Sequence, residues 1–364
     1  MEAFMSLDKA LARFEEALKG LEKISQAVGI PVEYTQGGGG NTSVKLDDEL
    51  MAVKASGFKL KQINPQEGYV VVNYKNLKEY YNQVDLKQDR DFEKESGEFV
   101  KTNITEIEGL KKLRPSVEAG FHSILKKYVI HTHPVYANIL CCSQNGRELV
   151  EKLFEGREYA AAWVPYINPG FCLTLKINEA IKASMESCGR FPQVIFMENH
   201  GLIVTDDDPD RCISLHGEVN DIIRQHFSLT EQFPEIKLVK LEENSWLSKT
   251  GYISAYLQKN RVTEEFFEYN PLYPDQLVYL NANMGSGGTE KKIGIDAKKG
   301  EVLYKTGFSE AQTFEETMLA YFYVLDGIKS NSLPLKTMTA RDIDFIRNWE
   351  SEAYRRSLVK ELGK

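Results

Sequence analysis

A chain of 364 residues with 42% hydrophobic content can bury a sizeable core, as one large domain or two modest ones. Its formal net charge of −8, with no long run of Lys and Arg, excludes a nucleic-acid footprint, so an anionic ligand has to be met by a local pocket. No apolar stretch approaches the roughly 20 residues of a membrane span, and the N-terminus lacks the basic-then-apolar order of a signal peptide, so no membrane partner and a soluble, cytoplasmic protein are expected.

Along the chain, Phe4, Leu7, Leu11, Phe14, Leu18 and Leu21 recur at spacings of three and four, which predicts an amphipathic first helix lying on its own domain, weakened at Gly20. Thr35-Gln36 and four glycines, Gly37 to Gly40, then run straight into the alternating segment Asn41-Thr42-Ser43-Val44-Lys45-Leu46. Leu50 to Ala55 and Tyr69 to Tyr74 read as strands, Lys87 to Lys101 as an exposed charged loop, and Ser116 to Leu125 as a helix capped by Ser116 after Pro115. Tyr128 to His133 and Val194 to Thr205 are β-rich, and Ser214 to Phe227 is helical. From about Lys240 the texture changes, through Pro271 and Pro274, a turn cluster at Gly285 to Gly288, a strand pair, and helices over Glu315 to Ile328 and Ala340 to Leu358. The five cysteines, Cys141, Cys142, Cys172, Cys188 and Cys212, are odd in number and without CxxC spacing, which suits reduced thiols. The expected organisation is a 1–240 α/β domain with a 241–364 α+β extension packed on it.

The chemistry sits where apolar runs end. His131-Thr132-His133 places two imidazoles two residues apart, and on extended backbone that spacing turns both to one face, where they can chelate a cation. Such a pair is common for other reasons, and a third histidine is what adds weight. His200 follows the β-rich Val194 to Met197 and precedes Gly201, at a strand-to-turn junction where backbone can approach closely. Three imidazoles with an open fourth position describe a catalytic zinc site rather than a closed structural one. Glu118 lies upstream in Arg114-Pro115-Ser116-Val117-Glu118, with His122 one helical turn on. Of the other histidines, His216 reads as a packing or supporting residue and His226 as surface.

These pieces, taken in order, resemble the class II aldolase and adducin superfamily, typified by fuculose- and rhamnulose-1-phosphate aldolases and ribulose-5-phosphate 4-epimerase. The matching pieces are Gly39-Gly40-Asn41-Thr42-Ser43, Ser56-Gly57, Pro115-Ser116-Val117-Glu118, His131-Thr132-His133-Pro134 and Glu198-Asn199-His200-Gly201-Leu202. The resemblance extends through His216-Gly217-Glu218-Val219 and covers roughly residues 5 to 235. Pro271-Leu272-Tyr273-Pro274-Asp275 and the run from Trp349-Glu350 to Tyr354-Arg355 look like the C-terminal part of the aldolase half of bifunctional rhamnulose-phosphate aldolase/dehydrogenases. The dehydrogenase half has no counterpart, and no GxGxxG is available to hold a nicotinamide cofactor.

The resemblance implies a three-layer α/β/α fold around a mainly antiparallel sheet, with His131, His133 and His200 ligating a divalent metal, zinc first and manganese or cobalt as alternatives, and Glu118 as acid/base. It implies a sugar-phosphate substrate held by Gly40, Asn41, Ser43, Ser56, Gly57 and Ser116, in the manner of a Gly-rich loop and short hydroxyls. Val117 departs from the pattern, because sugar-phosphate aldolases usually carry a second serine there; Lys45 and Lys59 are the candidates to replace it. A tyrosine or other acid from a neighbouring subunit that protonates the leaving aldehyde is implied as well, with Tyr159 the nearest positional candidate and Tyr166 second. The assembly implied is a homotetramer, since family sites borrow residues from a neighbour.

The leading expectation is retro-aldol cleavage of a ketose phosphate; the same site supports epimerisation or dehydration of a sugar phosphate. An adducin-like interaction module that has lost chemistry is the alternative of another class, and it should have lost the metal ligands, all of which are present.

Overall fold

In a computed structural model of the chain, residues 5–284 and 291–348 are described. A two-residue strand, β1 (Met5–Ser6), leads into the long helix α1 (Leu7–Gly29), and β2 (Asn41–Lys45), β3 (Leu50–Lys54) and β4 (Tyr69–Asn73) follow as an antiparallel meander. Then come α2 (Tyr74–Gln83), α3 (Phe92–Thr102), β5 (Ile107–Glu108, paired with β1), α4 (Ala119–Ile124), β6 (Tyr128–Thr132), α5 (Val135–Cys141), α6 (Gly146–Phe154), β7 (Ala160–Val164) and α7 (Phe171–Cys188). The hairpin β8 (Pro192–Met197) and β9 (Gly201–Asp206) and helix α8 (Pro209–His226) complete this part. Its seven-stranded sheet has the order β4-β3-β2-β6-β9-β8-β7, antiparallel throughout except for the parallel pair β7 and β8.

Alternation of side chains across the strands splits the core into two faces. Val44, Ile130 and Val204 point to a face covered by α1, α5 and α8, whereas Val129, Ile195 and Ile203 point to the face where Phe121 of α4 and Leu173 and Ile177 of α7 pack. The result is the expected three layers. β6 occupies the central position, which its buried sequence Tyr128-Val129-Ile130-His131-Thr132 suits, since β-branched and aromatic residues fill both faces. The first helix does not yield at Gly20: α1 runs through it, and a Cβ there would stand 2.6 Å from the Tyr128 ring, so the glycine is what lets the helix lie against β6.

Beyond residue 237, β10 (Leu238–Glu242), β11 (Ser245–Ser248), β12 (Ile293–Asp296) and β13 (Glu301–Tyr304) form a second sheet of order β10-β11-β13-β12. Around it lie α9 (Gly251–Asn260), α10 (Glu264–Tyr269), a short π-type turn at Gln276–Leu280, α11 (Phe308–Ser330) and α12 (Ala340–Asn348). The first strand of this sheet straddles position 240. One continuous core joins Leu18 and Ile139 with Leu257, Phe267, Leu272, Phe314 and Phe322, so the extension shares the interior of the α/β part.

Two further expectations are corrected. The stretch Lys87 to Lys101 is not all loop: Asp91 accepts from Lys94 N at 3.0 Å and starts α3, whose Phe92 stacks on Phe171 with ring centres 5.2 Å apart. Its many charges hid a face of helical spacing. The helix expected from Ser116 begins only at Ala119, and Glu118 stands at its N-cap with φ −97° and ψ 9°. The turn cluster Gly285 to Gly288 and the run from Trp349 onward lie outside the described residues.

Candidate metal centre

His131 ends the central strand and His133 follows it, with the His133 amide donating to Tyr34 O at 3.1 Å. The side chain between them faces the other way, and Thr132 Oγ1 lies 2.7 Å from His216 Nε2 on α8, which makes His216 a buried support of the strand. The third imidazole arrives through the tight turn between β8 and β9. There Asn199 adopts the left-handed conformation, φ 50°, and its amide donates to Cys141 O at 2.9 Å. Gly201 follows, and a Cβ there would stand 2.4 Å from Thr132 O and 2.9 Å from His133 Cδ2, so only glycine lets the turn close on β6.

The three rings then converge, with centres 4.9, 5.0 and 5.3 Å apart, and each is nearly or fully buried. His131 Nδ1 is 3.0 Å from Leu202 O and must donate to it, and His133 Nδ1 is 2.6 Å from the Asp275 carboxylate and donates there. Both Nε2 atoms are therefore bare lone pairs, yet they face each other at 3.2 Å. Glu118 adds Oε2 at 3.5 Å from His131 Nε2 and Oε1 at 3.4 Å from His200 Nε2. Lone pairs packed so closely repel unless a cation lies among them. A tetrahedral cation with bonds of about 2.0–2.1 Å needs donors about 3.3–3.4 Å apart, which these separations meet. Glu118 Oε1, buried and without a hydrogen-bond partner, is accounted for in the same way. The donor set fits a divalent cation.

Burial pushes His131 down to about 4 and His200 to about 3, so both are neutral imidazoles, the form that ligates. For Glu118 burial works against the charged form, but the imidazoles of His131 and His200 and the Asn41 amide outweigh it and hold the carboxyl at about 2.

A buried chain of hydrogen bonds stands behind Glu118. Asn41 Nδ2 donates to Glu118 Oε2 at 2.6 Å and to Ser116 Oγ at 3.1 Å. Asn41 Oδ1 accepts from His122 Nε2, so His122 Nδ1 is left to accept from Ser43 Oγ, at 2.7 Å. Register explains the meeting: Asn41 pairs with His131 across β2 and β6 and shares its face. Gly40, with φ +65°, precedes it, and a Cβ there would stand 2.6 Å from His131 O.

The expected phosphate-binding residues divide. Asn41 and Ser116 lie against Glu118, and Ser56, Ser116 and Val117 line an adjacent cleft of about 820 Å³. Gly57 supplies the left-handed turn after Ser56, φ +88°. Ser43 is fully buried against His122 and is not among the cleft residues, so its hydroxyl orients His122 instead. Lys45 donates to Leu125 O and Lys126 O, a fastening of β2 to the end of α4, so it does not replace the missing serine. Lys54, which the sequence did not single out, is buried and donates to Gly38 O at 3.2 Å.

Within one protomer Tyr159 lies away from the triad. It precedes β7 at the end that pairs with Pro192, whereas Val164 at the other end pairs with Met197 beside the histidine turn. Five residues of strand separate the two by about 16 Å. Its ring packs on Phe154, and burial with Glu218 pushes its hydroxyl up to about 12. Tyr166 lies at the metal end, where its amide donates to Glu198 Oε2 at 3.1 Å. His226 is exposed, as expected.

The sequence singled out the 271–275 motif but gave Asp275 no role at the metal centre. It comes from 142 residues beyond His133, and no local spacing announces it. The cysteines are all free, and among the described residues no helix is long and apolar enough to cross a membrane.

Comparison with known proteins bears on this geometry. The profile of the class II aldolase and adducin N-terminal domain matches residues 32–227. A Bacillus subtilis protein named uncharacterized oxidoreductase YuxG is 30% identical over 228 residues, covering 57% of this chain and 31% of that protein. The chain thus spans less than a third of that relative's length. Among solved structures, the N-terminal class II aldolase domain of a conserved Thermoplasma acidophilum protein aligns at 21% identity and TM-score 0.47, over 57% of this chain and 92% of that one. A sugar-phosphate aldolase from Thermotoga maritima aligns at 16% identity and TM-score 0.41, over 60% of this chain and 97% of that one.

Proposed function

Because the chain belongs to the class II aldolase and adducin family, we propose that it is a metal-dependent aldehyde-lyase that cleaves a ketose phosphate or a related sugar derivative between the α- and β-carbons of its ketone. The observation that carries this reading is the closure of His131, His133, His200 and Glu118 around one point at ligand spacing, in a family whose characterised members include aldolases. A non-catalytic module has no use for four buried groups whose lone pairs converge.

A divalent cation, zinc first, would be held by the three Nε2 atoms and would supply Lewis acidity to the ketone and hydroxyl oxygens as enediolate charge develops. Glu118 is the acid/base. Cleavage breaks the carbon–carbon bond, the neighbouring hydroxyl loses its proton as the aldehyde forms, and the bonding pair remains on the enediolate carbon, which then takes a proton. The Glu118 carboxyl, fixed by the Asn41 amide, has one oxygen without a hydrogen-bond partner, suited to carrying that proton. Ser56 and Ser116 donate to the phosphate from the cleft, and a tyrosine on the aldehyde side, Tyr159 of a neighbouring copy first and Tyr166 second, takes the proton that the hydroxyl loses. The assembly proposed is a homotetramer in the cytoplasm.

The test offers zinc-loaded protein a panel of ketose 1-phosphates and the free sugars, with products followed by mass spectrometry. Two fragments support the lyase reading, an epimer or a dicarbonyl moves the site to epimerisation or dehydration, and no conversion of any member by a zinc-bearing protein refutes it.

A further inference from the structure

All three histidines lie in the α/β part, but two of them are held from the extension. Asp275 is 1% exposed and places Oδ2 2.6 Å from His133 Nδ1. Three residues earlier, Leu272 O accepts from the side chain of Asn199 at 2.8 Å, and Asn199 is the left-handed residue immediately before His200. The same side chain donates to Lys336 O at 2.9 Å, so the histidine turn is gripped twice by backbone of the extension.

The segment that does this is itself pinned. Gln276 Oε1 accepts from Leu272 N at 2.7 Å and Gln276 Nε2 donates to Phe267 O at 3.1 Å, which fixes the 272–276 turn. Asp275 is also fitted to the glycine loop: a Cβ on Gly39 would stand 2.4 Å from Asp275 Oδ2 and 3.1 Å from His133 Nδ1. Gly37 N donates to Glu316 Oε2 of α11 at 2.7 Å. The run of glycines before β2 is therefore shaped by the extension as well as by any ligand.

We propose that the 272–276 segment is a clamp on the metal centre, in which Asp275 is a positioning residue for His133 and couples docking of the extension to binding of the cation. The chemistry follows from the contacts. A carboxylate accepting from Nδ1 fixes the tautomer that leaves Nε2 bare, sets the ring's angle and makes Nε2 a better donor to a metal. Linkage then works both ways: whatever the docked segment adds to metal affinity, the metal adds to docking.

The inference rests on the metal reading above, so the experiment separates the two. Apo protein is titrated with zinc against a chromogenic chelator, and with cobalt for its visible absorption, in the wild type, Asp275→Ala and Asp275→Asn. Loss of such an outer partner typically costs about 10–100-fold in metal affinity. The expected result is a loss of that size with an altered cobalt band in Asp275→Ala, and a smaller loss in Asp275→Asn, whose amide oxygen can still accept from Nδ1. Zinc should also slow amide hydrogen exchange across residues 272–280 of the wild type. If the wild type binds neither zinc nor cobalt, the metal reading falls and the clamp with it. If it binds both and Asp275→Ala matches it in affinity and spectrum, the clamp is overturned and the metal reading stands. Should Asp275→Ala fail to fold, the wild type decides, because exchange across 272–280 that ignores zinc overturns the clamp.

Discussion

Replacing Gly201 by alanine tests whether the close approach of the histidine turn to β6 is what assembles the site. The new Cβ would meet Thr132 O at 2.4 Å and His133 Cδ2 at 2.9 Å. An ordinary contact lies near 3.5 Å, so about 1 Å of space has to be found. The Thr132 carbonyl belongs to the central strand of a seven-stranded sheet, a strand paired with β2 on one side and β9 on the other, so the turn carrying His200 or the ring of His133 must give way. Overpacking of this kind costs about 1–3 kcal/mol of stability. Ligand distances in metal sites hold to about 0.2 Å, so a displacement of about 1 Å takes one imidazole out of the set. Zinc affinity is expected to fall at least about 100-fold, beyond what loss of an outer partner costs, while far-UV circular dichroism stays native-like. Chelator competition reads the affinity and a thermal melt reads the stability. A Gly201→Ala protein with wild-type zinc affinity would refute the reasoning, because the site would then tolerate a separation that the donor spacing forbids.

Two further outcomes are expected. Glu118→Gln keeps three imidazoles and should retain zinc while losing about 10²–10⁴-fold in kcat, the span of a general acid/base; near-normal turnover would remove Glu118 from its role. Glu93 accepts from Phe171 N at the start of α7, and burial pushes its carboxyl up from 4.5 to about 7. The folded state therefore binds this proton more tightly than the unfolded chain, and the stability it contributes is full below about pH 4.5 and lost as pH rises through 7. Glu93→Gln has no such slope, so its urea stability relative to wild type should climb by about 1–3 kcal/mol between pH 5 and 8; a constant difference would contradict the shift.

Much of this protein is decided by short-range pattern. His131 and His133 share a face because strand residues alternate, and the glycine after His200 is needed because a turn must touch the neighbouring strand. The sheet and the helices α1 and α8 follow from local apolar pattern, which requires only neighbouring residues. Periodicity failed at α3, where charges on the solvent side concealed the few buried positions, and at Gly20, where a tertiary contact with Tyr128 overrides helix propensity.

What the fold alone decided concerns partners far apart in sequence. Ser43 is spent on His122, Tyr159 lies at the end of β7 far from its own protomer's triad, Lys54 rather than Lys45 reaches the glycine loop, and Asp275 orients His133 from within the extension. Composition and spacing fix which side chains share a strand face or a helix turn. They carry no term for which buried donor meets which acceptor once separate elements pack. The ligands of the metal centre lie at strand ends and so were legible from the sequence; the groups that orient them come from other elements, and only packing brought them together.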